Sequence, residues 1–491
     1  MRRIEGGEEL ASAGEKRFLS EYAAALGDDQ AALFVGAGVS QAAGYPSWRD
    51  LLADIGEELS VRSKDIQDLA ALAQWSIQES GSRNRVRDVI RRKIGPNRPL
   101  TATNRILARL PTRSYWTTNY DKLIERSFDE ISRPYDVISS AADLSTRASP
   151  GAARIFKMHG TVDQLADVVI STDDYELFRK SRGPFLPLLQ AQMTSMSMLF
   201  VGMSLTDPNV KHVLALIRES FSDNPPDHFA LVKPPQASDF DDTAEFASRL
   251  RQHELWARDL RRYGLTAVEV DDYADIPKLL NALERQVARQ RVWISGSWPV
   301  ENFGDEGSKA YAVARGIGEA LGRSGLKLIH GLGLVVGSAA LTGFLEALQE
   351  SGGWDLDRRL ITRPFPQPPG EDQPDRQKWT ALRKELARLA GVAVFIGGVK
   401  FSDGRATIAE GVREEYRLAK AAGAFLLPIG ATGGAAAKIG DDLIGSDIPS
   451  RGKAAQRPSN EDLKALANAD ASHSELIERA VTLIRKATQA G

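Results

Sequence analysis

The sequence predicts an α/β protein of two domains, each a parallel sheet flanked by helices. Three observations carry that prediction. At 491 residues the chain is longer than one ordinary core supports. Short apolar β-rich runs alternate with longer amphipathic segments, the pattern of parallel strands joined by helical crossovers. A second strand, glycine turn and helix series then begins at residue 292, after a charged and polar stretch at 289–291. The boundary is expected there, giving domains 1–288 and 289–491.

The elements follow in order. Residues 15–27 read as a helix and 31–35 as a buried strand ending in a Gly-rich turn. A helix resumes over 48–59, and a largely helical insert follows to about 110. Strands are expected at 115–118, 153–157 and 198–202; 228–232 and 267–270 complete a six-strand set, closed by helix 275–288. In the second half, strand 292–295 precedes helix 307–324, strand 327–330 and a Gly-rich turn into another helix. Residues 359–362 are strand-like, strands follow at 392–396 and 424–428, and 411–421 reads as a helix. Two stretches read as loops, 363–375 and 430–460, from their Pro, Gly and small-residue content. No solenoid repeat is present. Each half reads as a Rossmann-like domain.

Composition narrows the function classes. Hydrophobic residues make up 42% and charged residues 26%, an ordinary globular balance. Charges are mixed and the net is -2, so no basic arm points to a nucleic-acid partner. No cysteine is present, which excludes disulfides, thiol nucleophiles and Cys-based metal sites, and no metal is expected. The first residues are Met-Arg-Arg followed by an acidic stretch, without the apolar core of a signal peptide. No apolar run suits a membrane span. A soluble, cytoplasmic protein without a membrane partner is expected.

The first half carries four polar clusters at strand ends, the edge where open α/β sheets hold ligands. Gly36-Ala37-Gly38-Val39-Ser40 runs from a strand into a helix. Such a turn either lets a pyrophosphate approach the backbone or simply reverses the chain. In Thr117-Thr118-Asn119-Tyr120-Asp121, the Asn119 amide could hold a ribose hydroxyl or a water, while Asp121 suits a helix cap. Lys157-Met158-His159-Gly160 supplies an imidazole able to accept a proton near neutral pH. In Gly202-Met203-Ser204-Leu205-Thr206-Asp207, Ser204 and Asp207 could reach a cofactor ribose or cap the next helix.

In this order, the four motifs closely resemble the sirtuin family over roughly residues 15–285. The resemblance implies an NAD+ site with Gly36, Ala37, Gly38 and Ser40 at the phosphates and Asn119 and Asp121 near the nicotinamide ribose. Ser204 and Asp207 belong to the same cofactor set, and His159 matches the family's catalytic histidine. Protein-deacylating sirtuins carry a four-cysteine zinc module after that histidine. This chain has no cysteine, and 166–190 contains no histidine to stand in. The expected chemistry is therefore hydrolysis of NAD+ to ADP-ribose and nicotinamide, with Asn119 and His159 as catalytic pair. An NAD-dependent protein deacylase is the rival.

The second half carries three glycine turns at strand ends: Gly296-Ser297, Gly331-Leu332-Gly333 and Gly397-Gly398. Together they suit one phosphate-and-ribose pocket, or simply the tight turns of the fold. Arg363 and Lys400 are expected at ligand phosphates, with Glu410 or Glu414 at a ribose hydroxyl. Over about 290–488 this half resembles the SLOG superfamily, which includes phosphoribohydrolases and nucleotide sensors. Its enzymes show a compact Pro-Gly-Gly-x-Gly-Thr-x-x-Glu. Here residues 399–406, with Lys400, Asp403 and Arg405, separate the Gly pair from Thr407 and Glu410, which favours holding a ligand over cleaving it.

A sirtuin-like domain followed by a SLOG domain resembles the NADase effectors of bacterial Thoeris anti-phage systems. That resemblance implies activation by a cyclic ADP-ribose isomer made by a TIR-domain partner enzyme, a homotetramer, and NAD depletion on infection. The remaining rivals are a phosphoribohydrolase in the second half and a non-catalytic nucleotide-binding scaffold.

Overall fold

Continuous apolar runs become strands buried on both faces, as parallel sheets require. The structure, a computed structural model, describes residues 4–5, 8–9, 13–205, 207–220, 226–300, 303–353, 355–365, 375–402, 405–450 and 455–489. The chain divides into two compact units, Met1–Glu284 and Arg285–Gly491. A two-residue strand pair, Ile4–Glu5 with Glu8–Glu9, opens the first.

The first unit is built on seven strands: β1 (Ala31–Val35), β2 (Ser114–Thr117), β3 (Tyr135–Ile138), β4 (Ala153–Lys157), β5 (Ser197–Val201), β6 (His228–Val232) and β7 (Leu265–Glu269). All pair in parallel, in the order β3-β4-β2-β1-β5-β6-β7. The direction of winding reverses between β1 and β5, and the loops leaving β1, β2 and β5 meet there. Alternate residues Ala32, Phe34, Trp116, Phe156, Met198 and Phe200 build one face, covered by helices Phe185–Ser195 and Pro208–Ser220.

The second unit holds β8 (Arg291–Ser297), β9 (Lys327–His330), β10 (Leu360–Thr362), β11 (Val392–Gly397) and, after an antiparallel strand pair, β14 (Phe425–Ile429). These pair in parallel as β10-β9-β8-β11-β14, with the reversal between β8 and β11. Val292, Ile294, Val392 and Val394 face helices Gly304–Arg323, Val336–Glu350 and His473–Gln489. Trp293, Ala393 and Phe395 face the opposite helix layer. The predicted class, two Rossmann-like α/β domains, is what forms.

Three local expectations need correction. The first sheet has seven strands, not six: the added edge strand Tyr135–Ile138 is only partly buried and lacks the apolar run that marks its neighbours. The expected helix 48–59 is interrupted at Leu52, between Trp48–Leu51 and Ala53–Glu58. The expected loop 430–460 contains helix Gly434–Ile444, whose small residues Ala435, Ala436 and Gly440 allow close packing. The described residues of the insert at 399–406 lie on an antiparallel strand pair, β12 (Val399–Ser402) with β13 (Arg405–Ile408). Residues 366–374 of the expected Pro-rich loop, residues 451–454, and Asp403 lie outside the described residues.

Candidate active site

Parallel strands deliver their carboxyl ends to one edge, and the first unit's motif residues converge there on a cavity of 710 Å³. Gly36, Ala37, Gly38, Ser40, Asn119, Asp121, His159, Ser204 and Asp207 all line it. Gly36 is required by close approach: a Cβ there would lie 2.5 Å from the Gly202 carbonyl oxygen. The Gly36 and Gly38 N–H groups donate to the Val201 and Gly202 carbonyls at 2.9 and 2.7 Å, tying the β1 turn to the β5 turn.

Asn119 is fixed in the floor of this cleft. Its Nδ2 donates to the Gly36 carbonyl and to Ser40 Oγ, both at 2.9 Å. Ser40 Oγ in turn donates to Asp121 Oδ2 at 2.6 Å, while Asp121 Oδ1 accepts the Leu123 N–H at 3.0 Å. The carboxylate therefore holds the first N–H of the helix Leu123–Glu130 and also closes the Asn119–Ser40 network. Beneath the loop lies Lys157, paired with Glu125 at 2.8 Å and donating to the Asp121 carbonyl.

His159 is 4% exposed and faces this network's cavity. Burial pushes its imidazole below the usual histidine range; nearby Asp207 opposes that shift. A neutral imidazole near neutral pH follows, the state a proton acceptor needs. His159 Nε2 lies 3.4 Å from Asp207 Oδ2, and the Tyr175 ring stands edge-on to the imidazole at 5.4 Å. Sequence reasoning did not single out Tyr175, which comes from a segment without motif glycines. It also missed Lys233, His253, Trp256 and Tyr273, which line the same cavity. Among the described residues, no group of three or more His, Cys, Asp or Glu could hold a metal ion, and no helix is long and apolar enough to cross a membrane.

In the second unit the glycine turns also meet at the carboxyl edge. The Gly398 N–H donates to the Ser297 carbonyl at 2.9 Å, and Trp298 N–H to the Leu334 carbonyl at 3.1 Å. These bonds join the turns that carry Gly296-Ser297, Gly331-Leu332-Gly333 and Gly397-Gly398. The Arg363 N–H donates to the His330 carbonyl at 3.1 Å, while its guanidinium pairs with Glu385 at 2.9 Å. Lys400 is exposed on β12, and Glu410 is an exposed helix-start residue 3.7 Å from Arg413. Glu414 accepts from Thr380 at 2.7 Å and pairs with Arg383 at 2.8 Å. A buried cluster that the sequence did not announce lies beside it: Arg383 pairs with Glu415 at 3.1 Å, and Ser295 Oγ donates to Glu415 at 2.5 Å. Burial pushes the Glu415 carboxyl up, and those two contacts oppose the shift.

The comparisons with known proteins agree with this two-part layout. A SIR2-like domain family matches residues 113–256, and the Sir2- and TIR-associating SLOG family matches residues 275–487. NAD(+) hydrolase ThsA of Bacillus cereus (strain MSX-D12) is 34% identical over 418 residues, covering 85% of this chain and 87% of that protein. The chain belongs to the ThsA family. NAD(+) hydrolase ThsA of Cytobacillus dafuensis is 30% identical over 491 residues, covering 97% of this chain and 98% of that protein. NAD(+) hydrolase ThsA of Acinetobacter baumannii (strain 532279) is 31% identical over 437 residues, 88% of this chain and 90% of that one. Within this ThsA family member, the SIR2-like match includes Asn119, His159 and Asp207, whereas the glycine turn at 36–40 precedes it.

Proposed function

We propose that the chain hydrolyses NAD+ to ADP-ribose and nicotinamide, with Asn119 and His159 as the catalytic pair. One observation carries this reading: a buried imidazole and a fixed Asn amide line the same cleft as the glycine turn, at the sheet's winding reversal. The names of the ThsA relatives support it. The glycine turn, Gly36, Ala37 and Gly38 with Ser40, takes the phosphates, with Asp121 and Ser204 toward the riboses. Nicotinamide leaves as a neutral base, and the ribose carbon it vacates becomes oxocarbenium-like. Asn119 orients a water for attack on that carbon; His159 accepts the proton the water loses. His159→Ala and Asn119→Ala are each expected to lower NAD+ cleavage by roughly 10²-fold or more while the fold survives. Nicotinamide release and thermal melting measure the two effects. Turnover retained in both variants moves the active site elsewhere, and release that requires an acylated peptide favours a deacylase.

The second unit is the regulatory half in this reading. It binds a cyclic ADP-ribose isomer, supplied by a TIR-domain partner enzyme, through Gly296, Ser297, Gly331, Gly333, Gly397 and Gly398, with Arg363 and Lys400 at phosphates and Glu410 or Glu414 at a ribose. The description of the matching SLOG family, which names Sir2 and TIR association, supports that partner class. The effector works as a cytoplasmic homotetramer, with domains 1–288 and 289–491, and depletes NAD+ as an anti-phage response. An unregulated NADase is toxic, so the ligand must bind the active arrangement more tightly. Moving the equilibrium from about 1:99 to 99:1 needs roughly 5.5 kcal/mol of differential binding. Arg363→Ala or Lys400→Ala is expected to abolish activation by cyclic ADP-ribose isomers with the catalytic unit intact. A normal response in both variants rejects this pocket.

A further inference from the structure

Asp207 is held on two sides. Its Oδ1 accepts the Asn209 and Val210 N–H groups at 2.9 and 3.2 Å, capping helix Pro208–Ser220. Its other oxygen lies 3.4 Å from His159 Nε2, and the same carboxylate stands beside Tyr175, where burial first and then this charge push the phenol up. Tyr175 is itself anchored. Its helix, Thr172–Glu176, begins with a Ser171–Asp174 capping box, and Arg83 grips Asp174 through both carboxylate oxygens at 2.7 and 2.6 Å. The Tyr175 ring packs at 85° to the imidazole, with Phe178 at 6.3 Å beside it.

The buried imidazole leaves Nε2 without a hydrogen-bond partner among the described residues, an arrangement that costs free energy. The charged and titratable groups around it are Asp207, Tyr175, Asp174, Arg182 and Tyr120. Asp174 is neutralised by Arg83, and Arg182 donates to the Ser139 and Asp167 carbonyls. That leaves the Asp207 carboxylate as the counter-charge nearest the ring.

We propose that Asp207 and Tyr175 are positioning residues that act through His159, the carboxylate orienting the ring and holding the positive charge it acquires. The inference rests on reading this site as an NAD+ hydrolase with His159 as base. When water attacks the ribose carbon and nicotinamide departs with the bonding pair, the water's proton passes to the imidazole nitrogen turned away from Asp207. The 3.4 Å approach at Nε2 then becomes an ion pair in a buried setting. Tyr175, beside the same carboxylate, keeps it aimed and moderates its pull.

The two substitutions have opposite signatures. Asp207→Asn keeps an acceptor for the helix cap but removes the charge. In the full-length protein, with NAD+ as substrate and cyclic ADP-ribose isomers supplied as activators, kcat is expected to fall about 10- to 10³-fold while KM changes little. The acidic limb of its pH profile is expected to move down by about one unit, because the imidazole loses the charge that favours its protonation. Tyr175→Phe frees the carboxylate to attract the proton more strongly, so its limb moves up. NMR titration of [15N]histidine-labelled full chain, with His159→Gln assigning the signal, reads the same two shifts without turnover. A profile and titration unmoved in both variants, with His159→Ala inactive, overturns this proposal alone. Active His159→Ala removes the reading beneath it. A raised KM with unchanged kcat in Asp207→Asn also overturns it, and makes Asp207 a direct cofactor contact.

Discussion

Lys157 shows how much of the site depends on a single buried charge. Its side chain is 1% exposed and its partner Glu125 is 5% exposed, so neither charge is solvated. The ammonium ion binds Glu125 and the carbonyl of Asp121, with the Tyr120 carbonyl at 3.5 Å, under the loop that carries Asn119. Removing one member of such a pair strands the other in the interior, which costs more than removing both. Lys157→Met is therefore expected to lower stability by roughly 3–5 kcal/mol, and Lys157→Met with Glu125→Leu to recover most of it. Urea denaturation of the single and double variants measures this. A double variant as unstable as the single one rejects the stranded-charge explanation.

At the scale of elements, the turns after β1 and β5 are tied to one another at the edge of the proposed NAD+ site. They are in contact through backbone, so the glycines leave no room for a side chain. Gly36→Ala is expected to push the two turns apart, costing about 1–3 kcal/mol and weakening NAD+ binding. Gly81→Ala meets open space beyond its helix and pays only for its left-handed φ of 64°, about 1 kcal/mol, with NAD+ binding unchanged. Melting temperatures and NAD+ titration separate the two. Equal effects on binding dissociate the glycine turn from the ligand. The misread elements fit the same physics: an edge strand needs no continuous apolar run, and a helix rich in Ala and Gly packs through its small residues.

At the scale of the whole molecule, each unit carries a fully buried histidine, His228 in the first and His330 in the second. Each accepts a backbone N–H at Nδ1, from Met198 at 3.2 Å and from Leu332 at 3.3 Å, which requires an unprotonated nitrogen. Burial lowers both to about 4. Unfolded histidine binds its proton near 6.5, so below that pH the unfolded chain takes up protons that the folded units refuse. The stability is present above about 6.5 and is lost as pH falls toward 4, by on the order of 3 kcal/mol for each histidine. Denaturant midpoints measured across that window test the sign. His228→Asn and His330→Asn, which keep an acceptor, are expected to flatten the slope of their own units; an unchanged slope assigns the acid sensitivity to other groups.

The sequence alone determined the two parallel sheets and the residues at their carboxyl edges. Those follow from local patterning: apolar runs such as those of strands Ala31–Val35 and His228–Val232 cannot stay exposed, and glycines punctuate the chain at strand ends such as Gly36 and Gly202. Because parallel strands share one edge, motifs far apart in the chain were brought to one cavity without any contact being known in advance. Only the tertiary structure decided the partnerships. Tyr175 beside His159, Lys157 with Glu125, and Arg383 with Glu415 join residues from separate elements, and no local motif pairs them. Which charge meets which is fixed by how helices settle on the sheets, through burial and desolvation that no local stretch of chain encodes.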